Sequence, residues 1–167
     1  MKKLILLLMF FSVPALAEEP ITGAFGMTLG EAASLNPWNR TTHDGYVSYK
    51  FKPTTPVEPF SNYKISVTPV KELVFLIHAY RQVSGGCTAS YNALKAALDR
   101  KYGESIPLEI TDGRGVIWER DSGEEFFRSI RLTCTRDYDY LDLIYKDYLI
   151  EEGMADELNI ETESGNL

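Results

Sequence analysis

Apolar and polar residues alternate with a period of two through the middle of the chain, and that alternation predicts strands. In YVSYKF, Val47, Tyr49 and Phe51 share one side while Tyr46, Ser48 and Lys50 share the other, and Pro53 ends the run. After the proline-rich PTTPVEPF the pattern resumes, with Tyr63, Ile65 and Val67 set against Lys64, Ser66 and Thr68 until Pro69. Glu72 to Val83 follows as a third run. Its continuous apolar start predicts a strand covered on both faces, or one long strand crossing the sheet. Three such strands with short links predict an antiparallel meander.

The period then changes. In CTASYNALKAALDRKYGE, Tyr91, Leu94, Leu98 and Tyr102 fall at helical spacing, with Asp99, Arg100 and Lys101 toward water. Thr88 is a candidate N-cap, and Gly103 suits the position just past the helix end. One helix cannot bury such a stripe by itself, so the stripe must lie on a sheet. Three further strands are predicted over Val116–Arg120, Phe126–Thr135 and Tyr140–Tyr145, then a helix over Asp147–Leu158 weakened by Gly153. Nearer the start, Phe25, Met27 and Leu29 alternate as a short strand, and Glu31 to Leu35 predict a brief helix stopped by Pro37. The glycines there make no phosphate loop, because no Lys-Ser/Thr pair and no long helix follow. The fold class expected is therefore α+β: an antiparallel sheet of about six strands, as two three-strand meanders, with one main helix packed on it. A single domain over residues 18–159 is expected, followed by a disordered polar tail over 160–167.

The opening MKKLILLLMFFSVPALA has a positive start at Lys2 and Lys3, an apolar stretch from Leu4 to Val13, and small residues at Ala15 and Ala17. That is the pattern of a secretory signal peptide over residues 1–17, too short for a membrane span of about 20 apolar residues. No cysteine follows the cleavage position, so no lipid anchor is expected. Export to the periplasm, or secretion, places Cys87 and Cys134 in an oxidising compartment. They are the only cysteines, and neither lies in a C-x-x-C turn. A structural disulfide between them is expected, against a reduced pair, a redox-active pair or a bridge to a second chain. It would tie the helix entrance to the strand SIRLTCT, where Cys134 shares a face with Ile130 and Leu132.

Charge narrows the partners. The whole chain carries −7, and without Lys2 and Lys3 it has 15 basic against 24 acidic side chains, a balance of −9. With no basic stripe evident along the chain, nucleic acid is excluded as a partner. Stable membrane insertion is not expected once the leader is removed. Another envelope protein is the partner expected.

Catalytic chemistry finds little support. His43 and His78 are the only histidines. His43, in TTHDG, is expected in an exposed turn, and His78, in LVFLIHAY, as a hydrogen-bonded histidine of the core or the sheet face. No G-x-S-x-G elbow and no H-E-x-x-H motif is present, and no cofactor or metal is expected. Paired carboxylates are the strongest catalytic candidates: Glu119, Glu124 and Glu125 around one hairpin, and Asp137, Asp139, Asp142 and Asp147 around the last. DYDYLD lacks the glycine and terminal glutamate of a calcium loop. Tyrosine is frequent, with 10 residues, and it suits recognition surfaces through large area at low entropy cost. Asp137, Tyr138, Asp139 and Tyr140 are the binding residues proposed, with Tyr138 and Tyr140 in a turn.

The segments GAFGMTLG, YKFKP, YKISVTP, ALDRKYGE, IRLTC and LDLIYKDYL together resemble those of small exported bacterial proteins of uncharacterised function, across most of residues 23–150. That resemblance implies an envelope compartment and an α+β layout, and transfers no active site. A more distant resemblance is to the small outer-membrane-assembly lipoproteins, through the Gly-rich opening strand, although their lipidated cysteine is missing here. The function expected is a periplasmic or secreted non-enzymatic protein that binds another protein, of inhibitor or immunity type. The alternatives are a cell-envelope hydrolase using paired carboxylates and an outer-membrane assembly accessory.

Overall fold

A computed structural model describes residues 19–33, 39–43, 45–82, 84–121, 127–135, 140–154 and 156–157. The predicted leader and tail lie outside these residues. Four antiparallel strands come first in the main sheet: β3 (Arg40–His43), β4 (Tyr46–Lys50), β5 (Asn62–Val67) and β6 (Val74–Gln82). Helix α1 (Thr88–Tyr102) follows, then β7 (Ile106–Leu108), β8 (Gly113–Asp121), β9 (Phe127–Thr135), β10 (Tyr140–Asp147) and the short α2 (Tyr148–Glu152). They form one eight-stranded sheet in the order β3-β4-β5-β6-β10-β9-β8-β7. A separate two-stranded hairpin joins β1 (Gly23–Ala24) to β2 (Met27–Thr28).

The α+β class and the single main helix hold, but the strand count does not. Each meander has four strands, not three, and the extra strands are the two sheet edges. β3, with the sequence RTTH, is exposed at all four positions, so no apolar alternation marks it. β7 has only three residues, one of them a proline. Phe25, Met27 and Leu29 do not share a strand. Phe25 and Gly26, with φ of 56° and 82°, form a two-residue turn whose positive angles match the twist of a tight hairpin. No helix forms at Glu31–Ala33, where Ala32 instead bridges Leu73; the rest of that expected helix lies outside the described residues. Thr88 does not cap α1 but begins it, with Cys87 at the N-cap position and no side-chain cap bond. Gly103 ends the helix at φ 82°, its N–H bonded to the carbonyl of Asp99.

Alternation decides which face of the sheet is covered. Along β10, Leu141, Leu143, Tyr145 and Asp147 are buried, and the residues between them are half-buried. Register carries the buried set across the sheet: Leu143 pairs with Ala79 and Leu132, and Tyr145 with Ile77 and Ile130. Helix α1 lays Tyr91, Leu98 and Tyr102 on this face. The Trp118 indole N–H donates to Asp99 Oδ1 at 3.2 Å and to the Gly103 carbonyl at 3.0 Å, tying the helix end to β8. Farther along, Phe25 sets its ring edge-on to Tyr63 at 5.1 Å and to Tyr145 at 6.3 Å, so the β1–β2 hairpin covers the same face. Cys87 and Cys134 form the predicted disulfide, with Cα atoms 5.8 Å apart.

Candidate functional site

The opposite face of the sheet carries the candidate site. Among the described residues, no helix or hairpin packs over its middle. One row can be followed by register across six strands: Lys50 on β4, Lys64 on β5, His78 on β6, Ile144 on β10, Arg131 on β9 and Ile117 on β8. The next row runs Asn62, Tyr80, Asp142, Thr133 and Gly115. These are the odd-out members of the alternation that fills the core, so the pattern that buries Ile77, Ala79 and Leu143 must turn His78, Tyr80 and Asp142 outward.

At the centre, His78 Nε2 meets Asp142 Oδ1 at 2.6 Å, with both side chains less than one-fifth exposed. The His78 ring lies 4.7 Å from Tyr80, and Tyr80 stacks on Tyr140 at 5.8 Å and 20°. Burial, then the Asp142 carboxylate and then Tyr80, hold the Tyr140 phenol above its ordinary value. Beside this centre, Leu108, Glu109, Ile110, Arg131, Thr133 and Thr135 line a shallow depression. Ile110 and Leu108 pack directly over Gly115, where a Cβ would stand 2.5 Å from Ile110 Cδ1 and 3.3 Å from Leu108 Cβ. At one end of the face His43 stacks on Tyr46 at 4.6 Å, and at the other Phe127 meets Tyr148 at 5.1 Å.

Of the binding residues proposed from sequence, Asp137, Tyr138 and Asp139 lie outside the described residues. Tyr140 stands within this site, as the first residue of β10 and not in a turn. His43 likewise closes the edge strand β3, its Nε2 2.9 Å from Ser48 Oγ. Among the carboxylates, Asp142 is held by His78, and Asp147 points to the covered face, where Arg128 Nε donates to it at 2.8 Å. Glu119 is exposed on β8; Glu124 and Glu125 lie outside the described residues. Lys50, Lys64, Tyr80 and Arg131 were not singled out in the sequence. Their signal was present as the polar partner in each period-two run, which by itself reads as ordinary surface.

Among the described residues no hydroxyl or thiol hydrogen-bonds the His78 ring, whose partner is the Asp142 carboxylate. No three His, Cys, Asp or Glu side chains among them group to hold a metal ion. No protein-family model matches the chain, and neither a curated protein nor a solved structure matches it.

Proposed function

We propose that this is an exported, non-enzymatic binding protein of the bacterial periplasm, of inhibitor or immunity type. Another envelope protein would be taken on the open face of the eight-stranded sheet. One observation carries the reading: that face sets Tyr80, Tyr140, His78, Ile144 and Arg131 side by side with nothing over its middle among the described residues. Tyrosine and arginine beside an aliphatic centre are the composition of binding hot spots. Export is supported by the leader pattern and by a disulfide of the kind that persists in oxidising compartments. No helix among the described residues is long and apolar enough to cross a membrane. A hydrolase would need two carboxylates free to act on one bond. Asp142 and Asp147 are instead held by His78 and Arg128 on opposite faces.

The test is site-specific photocrosslinking in intact cells. A photoreactive residue at Tyr80, Leu76 or Ile144 should give a discrete protein adduct, whereas one at the exposed helix positions Asn92 or Ala96 should not. Adducts from all five positions, or from none, would remove the reading. Intact-mass measurement of the mature chain should show loss of residues 1–17 and of the two thiol hydrogens.

A further inference from the structure

Cations gather in one row of the open face of an acidic molecule. The mature chain is expected to carry −9, yet the row crossing the middle of this face contains Lys50, Lys64, His78 and Arg131 and no carboxylate. Lys50 and Lys64 stand directly opposite each other on neighbouring strands, a placement that like charges disfavour. In the flanking row Asp142 is engaged by His78. In the other flanking row Lys146 is paired with Glu151 at 2.6 Å. Glu119 stands on the diagonal from Arg131 across the β8–β9 pair. Among the described residues, neither Lys50, Lys64 nor Arg131 has an ion-pair partner.

We infer that the open face receives an acidic segment of its protein partner. Partner carboxylates would meet Lys50, Lys64 and Arg131, while Tyr80, Tyr140 and Ile144 supply apolar contact between the cations. This rests on the reading of that face as a binding surface, and adds the charge of what binds there. The arrangement gives two facing lysines a counter-charge: an incoming carboxylate relieves their repulsion. It also gives specificity, because the acidic remainder of the molecule repels the same segment elsewhere.

The probe is a short fluorescent oligo-glutamate peptide interspersed with leucine, with oligo-lysine and Gly/Ser peptides for comparison. The mature disulfide-bonded protein should bind the acidic peptide alone, and more weakly as salt rises. Lys50→Glu, Lys64→Glu and Arg131→Glu together should weaken it by about tenfold or more, and the glutamine triple variant should weaken it less. Lys95→Glu on α1 should have little effect. Equal binding of the three peptides, an unchanged affinity in both triple variants, or binding to anionic lipid vesicles in place of the peptide would overturn the inference. In cells, if the Tyr80 adduct survives the glutamate triple variant, the charge inference fails while the binding reading stands. Loss of every open-face adduct in the unmodified background removes both.

Discussion

Asp147 has no exposed surface, and both of its carboxylate oxygens are in use. One accepts from Arg128 Nε at 2.8 Å and the other from the Ile150 N–H at 3.2 Å, so a single side chain closes an ion pair and caps α2. The remaining Arg128 nitrogens donate to the carbonyls of Ile21 and Leu29, at 3.1 Å each, drawing the N-terminal segment onto the sheet. Arg128→Met would leave a carboxylate buried without its cation, and should cost about 3–5 kcal/mol in urea unfolding. Tyr145 makes a different prediction, about pH. Burial on the covered face, followed by the influence of Tyr102, pushes its phenol far above the ordinary value of 10.0. The unfolded chain therefore releases this proton at a pH where the folded chain keeps it. Stability from this group is intact below pH 10 and falls as pH rises beyond it, with a limiting slope of about 1.4 kcal/mol per pH unit. Tyr145→Phe should remove that component, so the gap in unfolding free energy between wild type and variant should shift toward the variant only on the alkaline side.

Elements were legible where burial imposed a period. β4, β5, β9 and β10 follow the alternation of their sequences, and α1 buries three of the four residues of its predicted stripe, with Leu94 partly covered. Elements without a buried face were not legible. β3 and β7 owe their strand form to pairing with β4 and β8, a long-range cause that no local window contains. Thr88 failed as a cap because Cys87, fixed by its bond to Cys134, takes the N-cap position. That bond spans a sequence separation of 47, and replacing both cysteines by alanine should cost about 4 kcal/mol in the chain-entropy model. Denaturant unfolding of the double variant beside the oxidised protein checks it; a loss below about 1 kcal/mol would mean the reduced unfolded chain is already compact. Gly113 shows how closely β8 and β9 approach. A Cβ there would lie 2.4 Å from the Cys134 carbonyl oxygen, which belongs to backbone and cannot step aside. Gly113→Ala should destabilise by about 1–3 kcal/mol, seen as a lower Tm.

Across the whole molecule the two faces of one sheet are covered differently, and paired substitutions should reveal it. Ile77→Ala, on the covered face where Ile77 has no exposed surface, should cost about 2–5 kcal/mol. If the open face binds as proposed, Tyr80→Ala at a half-buried position should cost less in thermal unfolding than Ile77→Ala and lower the yield of the Ile144 photoadduct. The sequence could sort the residues of each strand into two sets, but not say which set would stay uncovered, since that depends on where α1 and the β1–β2 hairpin settle. Nor could it bring His78 to Asp142, 64 positions away, or set Lys50 opposite Lys64; register did both. The two meanders meet along one line, β6 against β10, and among the described residues β10 is the last strand to leave the ribosome. A chain emerging N-terminus first would thus lack its keystone until nearly all of it had appeared. Until then each half would keep a bare edge and no partner, and the sheet could not be completed.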